Sequence, residues 1–159
     1  MDLKADITTD WVEDPSHERE GARAFRYVRP QMERMKHVVT LARTDRMIAN
    51  VQVLKEGGEN NLHLHPNLDG FWMVLKGRVK FYGENDALLG EYGPHEGILI
   101  PRGTRYWFES SGDEPLEILQ VEAFNIPLKT VQAVVADRVN YQAVRKASTS
   151  VRVHEGRED

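Results

Sequence analysis

The chain reads as an all-β domain, a sandwich or barrel of short strands. Three observations carry this. Runs rich in β-branched and aromatic residues recur from His37 to Ala123. Clusters of Gly, Pro, Asn, Asp and Ser separate them at short intervals. Where a run is long enough to show a period, as in Leu62-His63-Leu64-His65 or Leu116 to Ala123, apolar and polar residues largely alternate. That is the two-residue period of a half-buried strand.

Residues 1–36 are polar and charged, with Pro15 and Pro30. They are expected to form an arm of weak local structure that packs on the domain or on a second subunit. From His37 the β-rich runs begin with Val38-Val39-Thr40-Leu41 and Met47 to Leu54, followed by a turn over Glu56 to Asn61. Leu62 to His65 is the next strand, broken by Pro66-Asn67-Leu68-Asp69-Gly70. Phe71 to Leu75 and Val79 to Tyr82 follow on either side of Gly77. Residues 83–94 are rich in turn formers around Ala87-Leu88-Leu89. Ile98-Leu99-Ile100 looks like a buried strand, ended by Pro101-Arg102-Gly103. Tyr106-Trp107-Phe108 and Leu116 to Ala123 complete the β pattern. Val131 to Ala136 fits a short helix or another strand, and a polar tail starts at Ala147. The expected organisation is an arm over 1–36, one β-domain over 37–146 and a tail over 147–159.

Composition narrows the function. A chain of 159 residues fits one domain with a real core. It has no cysteine, which rules out disulfides, zinc–thiolate sites and cysteine nucleophiles. The formal net charge is −4, the pI is about 5.9, and no basic stripe appears, so no nucleic-acid partner is expected. The N-terminus has no apolar run of the signal-peptide kind, and no stretch approaches the roughly 18 apolar residues of a membrane helix. A cytoplasmic protein without a membrane partner is the expectation.

Gly57, His63, His65 and Gly77 stand at the spacings of the first cupin motif, a glycine, five residues, His-x-His, a glutamate and a closing glycine. Pro101-Arg102-Gly103-Thr104-Arg105-Tyr106 resembles the second, Pro-x-Gly-x-x-His. With the strands around them, the motifs span roughly residues 46–124. The resemblance implies a cupin barrel, a double-stranded β-helix or jelly roll carrying a short polar N-terminal arm. Four motif positions depart from the family. The first motif's glutamate falls on Gly70 with Asp69 one place earlier, the second motif's histidine on Tyr106, its opening glycine on His95, and its closing asparagine on Ser110.

Residues i and i+2 of a strand share a face, so His63 and His65 present two imidazoles side by side. Such a pair suits a divalent transition metal, iron, nickel, manganese or zinc. Asp69 and Tyr106 are the candidate third ligands, with Gln52 behind them. A His-x-His pair alone is a weak signal; the surrounding motif is what places it in a pocket. Trp72, Phe108 and Ser110 share faces with Gly70 and Tyr106 and are expected, with Gln52, to line that pocket, although Trp72 and Phe108 also suit the core. Gly70 leaves room for a substrate or for Trp72. His95, Arg102 and Arg105 read as surface residues.

The resemblance to the family, with its departures, leaves three functions open. The first is a metal-dependent oxygenase, lyase or isomerase acting on a small organic molecule at His63 and His65. The second is metal-free acid–base catalysis of the isomerase or epimerase type, with His63 or His65 as base and Tyr106 as acid. The third is a non-catalytic module that binds or senses a small ligand. The resemblance further implies a homodimer.

Overall fold

Alternating side chains build strands only when a second sheet covers their apolar face, and the protein solves this with two sheets. The computed structural model describes residues 7–9, 21–127 and 138–141. The strands are β1 (Ile7–Thr9), β2 (Lys36–Arg43), β3 (Met47–Leu54), β4 (Gly58–Leu64), β5 (Leu68–Lys76), β6 (Val79–Tyr82), β7 (Leu88–Tyr92), β8 (Gly97–Ile100), β9 (Tyr106–Ser110), β10 (Leu116–Phe124) and β11 (Val139–Asn140). One sheet runs β1-β2-β3-β10-β5-β8 and the other β11-β4-β9-β6-β7. All pairings are antiparallel except β1 with β2. This is the jelly-roll arrangement, formed by two facing sheets; no closed hydrogen-bonded ring is present among the described residues.

The core lies between the sheets. Leu54, Trp72, Val74, Leu116 and Ile118 come from the first, and Val79, Phe81, Tyr106 and Phe108 from the second. Aromatic rings join them: Trp72 lies 5.0 Å from Phe108 and 5.6 Å from Phe81, centroid to centroid. Such pairs stabilise beyond their buried area by about 0.5–1.5 kcal/mol each. Gly77 takes φ +86° between β5 and β6, and a Cβ there would stand 2.9 Å from the Pro115 carbonyl oxygen. Only glycine fits that turn.

Several expected elements differ. β4 begins at Gly58, so Glu59-Asn60-Asn61 belong to a strand and the turn before it is short. Pairing with β9 outweighs their turn propensity. β5 begins at Leu68: Leu68, Asp69 and Gly70 pair in regular register with Phe124, Ala123 and Glu122. Residues 88–92, read as turn, form β7, whose Leu88 and Leu89 are both exposed and give no alternation. β8 is an edge strand in which only Ile100 is buried. Val131 to Ala136 lies outside the described residues.

Residues 21–35 carry no regular structure. They are held nonetheless, because the Tyr27 hydroxyl donates to Glu117 Oε1 at 2.7 Å and Arg29 Nε lies 3.4 Å from Glu117 Oε2. Among the described residues no helix is long and apolar enough to cross a membrane.

Candidate functional site

The site is set by register. His63 on β4 pairs directly with Tyr106 on β9, so both side chains leave the sheet on the same face. Their ring centroids are 4.4 Å apart, tilted by 51°. His65, two residues on, presents its ring to the same side, 5.3 Å from His63 and nearly perpendicular to it at 87°. All three are buried, His63 to 1%, Tyr106 to 4% and His65 to 8% relative exposure. A narrow, shallow cleft is lined by His65, Gly70, Thr104 and Tyr106 with Leu68, Ile100 and Pro101. Tyr106 and His65 therefore face the cleft, and His63 stands behind them.

The partners of His63 assign its tautomer. Its Nδ1 lies 2.8 Å from the backbone carbonyl oxygen of Asn61. A carbonyl only accepts, so Nδ1 carries a proton, Nε2 keeps the lone pair in the neutral ring, and the guanidinium of Arg138 near the same nitrogen faces it as a second donor rather than as a hydrogen-bond partner. On the opposite edge of β4, the short strand β11 pairs Asn140 with His63 and brings in Arg138. The Arg138 guanidinium approaches His63 Nδ1 at 3.3 Å and donates to Asn61 Oδ1. Arg138 Nε donates to Asn140 Oδ1 at 2.9 Å, and Asn61 Nδ2 donates to the same oxygen at 2.6 Å. An Arg–Asn–Asn cluster thus braces the strand that carries His63.

The other expected site residues are distributed. Asp69 alternates to the outer face of β5, where its Oδ1 accepts from the Arg102 backbone N–H at 2.9 Å and ties down the Pro101-Arg102-Gly103 turn. Trp72 and Phe108 are core residues, and neither lines the cleft. Gln52 donates through Nε2 to Gln120 Oε1 at 2.8 Å, and Gln120 donates to Glu122 Oε1 at 2.8 Å. Ser110 lies at the far end of β9, opposite Val79. His95, Arg102 and Arg105 are exposed.

The metal expectation is corrected here. Among the described residues no group of three or more His, Cys, Asp or Glu side chains comes together to hold an ion. His63 and His65 are adjacent, but Asp69 points away, and Gly70 has no side chain where the motif has its glutamate. Neither Tyr106 nor Gln52 supplies the missing carboxylate or imidazole. The donor set does not fit iron, nickel, manganese or zinc, so the metal-dependent reading of His63, His65, Asp69 and Tyr106 is withdrawn.

Sequence reasoning missed Arg138, Asn61 and Asn140. Asn61 was hidden in an apparent turn. Arg138 and Asn140 lie beyond the readable β pattern, and pairing between strands distant in sequence leaves no local signal.

The cupin domain family matches residues 50–122. No curated protein matches the chain by sequence. Among solved structures, a conserved protein with a double-stranded β-helix domain from Klebsiella pneumoniae is 20% identical with a TM-score of 0.57, covering 76% of this chain and 98% of its own. The nucleoside dehydratase Pac13 is 15% identical with a TM-score of 0.53, covering 70% and 82%. The cupin domain of Schizosaccharomyces pombe Cnp3 is 15% identical with a TM-score of 0.53, covering 60% and 69%. At these identities the likeness is one of fold.

Proposed function

The chain carries a single cupin-superfamily β-domain, and on that premise we propose that it is a small-molecule catalyst working by metal-free acid–base chemistry of the isomerase, epimerase or elimination type. The observation that carries this is the paired His63 and Tyr106, 4.4 Å apart, with Tyr106 in the cleft wall. Tyr106 is the group that gives a proton to a substrate oxygen. His63, with its lone pair on Nε2, is the buried partner that orients Tyr106, and the Tyr106 oxygen recovers its proton from the substrate, from protonated His65 or from solvent as product forms. His65 faces the substrate from the neighbouring wall and takes a proton from carbon. A neutral imidazole suits that step because histidine ordinarily changes charge near neutral pH.

Fold relatives lend a direction. Pac13 is described as a nucleoside dehydratase, and Streptomyces Pac13 has been solved with uridine. A nucleoside, a sugar or another small polar ring is the substrate class to test first. Phe71 and Leu99, exposed and paired across β5 and β8, suit a contact with a second copy of the chain, which light scattering can test.

The testing experiment incubates the protein in D₂O with uridine and a panel of ketoses and aldoses, read by NMR for deuterium entering a C–H bond or for loss of water. Wild-type protein is expected to catalyse one of these. His63→Gln and Tyr106→Phe should each lower the rate by roughly 10²–10⁴-fold while remaining folded. Saturable binding of a panel member without exchange or elimination would instead make the domain a ligand-binding module.

A further inference from the structure

Trp72 is 1% exposed, and its indole N–H has no acceptor within hydrogen-bonding distance among the described residues. A buried donor left without an acceptor is uncommon in folded proteins and calls for a reason. Its position supplies one. A Cβ placed on Gly70 would stand 3.3 Å from Trp72 Nε1. Gly70 itself lines the cleft beside His65 and Tyr106. The indole N–H is thus buried directly behind Gly70, which lines the cleft and has no side chain to stand between the two.

The surroundings set the chemistry of what could reach it. Among the described residues, no lysine or arginine lines the cleft. Across β5 and β10, Gly70 is paired with Glu122, an acidic side chain buried to 4% exposure and hydrogen-bonded by Gln120. A neutral donor, with an acid on the adjoining strand and no cation in the walls among the described residues, favours an uncharged oxygen over a carboxylate or phosphate, which needs a charged or multiple-donor cradle.

We propose that the Trp72 indole N–H is the specificity-determining donor of this site, reading an uncharged carbonyl oxygen of a substrate whose edge occupies the space above Gly70. The inference rests on the acid–base reading for its consequence: a carbonyl held at the floor, with His65 and Tyr106 in the walls, makes the adjoining C–H the one to be exchanged.

The test uses full-length protein labelled with ¹⁵N at tryptophan, the Trp72 indole signal being assigned by its loss in Trp72→Phe. Acetamide and acetate, equal in size and different in charge, are titrated separately. Acetamide should move the Trp72 signal downfield saturably, with acetate at least tenfold weaker, and Gly70→Ala should weaken acetamide at least tenfold. A signal that acetamide leaves unmoved in folded wild-type protein overturns the proposal, including the case of an upfield signal that places the N–H against a neighbouring aromatic face. Equal response to acetate, or an unaltered response in Gly70→Ala, overturns it as well. The two readings fail separately. The acetamide shift with no exchange on the D₂O panel removes the acid–base reading alone, and exchange without the shift removes the Trp72 proposal alone.

Discussion

At the scale of single residues the site depends on a few hydrogen bonds that hold one imidazole in one orientation. The Asn61 carbonyl fixes the proton of His63 on Nδ1, and Arg138 braces the asparagines on either side. Arg138→Ala should therefore lower turnover by roughly 10–100-fold through misplacement of His63, with little change in substrate affinity. Arg138→Lys should restore little, because a lysine cannot reproduce the forked contacts to Asn61 and Asn140. A kcat/KM analysis checks both; an effect on KM alone would contradict the positioning role. The two histidines were legible in the sequence because the i, i+2 rule is local. Asp69 was misjudged because Pro66 suggested irregular backbone through Gly70, whereas β10 holds Leu68 to Gly70 in strict register and alternation turns the carboxylate outward. Arg138 was illegible because its meaning comes only from the pairing of β11 with β4.

Among the elements, strands with a buried face announced themselves and edge strands did not. β3, β5, β9 and β10 carry the core, and their apolar residues fall where the runs place them. β7 and β8 lie at sheet edges, where exposure removes the alternation on which sequence reading depends. The edge strand β8 has one unforgiving position. A Cβ on Gly97 would stand 1.7 Å from the Trp72 carbonyl oxygen of the neighbouring β5. Gly97→Ala is expected to destabilise the protein by about 1–3 kcal/mol or more, as overpacking does. Urea denaturation measures this; unchanged stability would mean that β8 does not pair as described.

For the whole molecule, the polar leader proves to be partly docked. Tyr27 and Arg29 meet Glu117 on the outer face of β10, which fixes residues 21–35 to the domain without regular structure. The latch was not legible in the sequence, since nothing near Tyr27 points to Glu117. Burial, and then the hydrogen bond and charge of Glu117, push the Tyr27 phenol well above the ordinary tyrosine range. A raised folded-state pKa contributes stability that is complete below the unfolded value of about 10 and is lost as pH rises through the folded value. Stability should therefore fall as pH rises above about 10, and Tyr27→Phe should make that fall shallower. Melting temperatures across the alkaline range decide it; equal slopes in the two proteins would sink the latch.

The central claim is that proton transfer at this site is the work of Tyr106 and its histidines. The most direct test is the rate of D₂O exchange or elimination on the substrate panel, measured with wild-type protein before and after exhaustive treatment with a strong chelator, beside Tyr106→Phe. The account predicts a rate that survives chelation and falls at least about 100-fold in Tyr106→Phe. A rate abolished by chelation and untouched by Tyr106→Phe would contradict it.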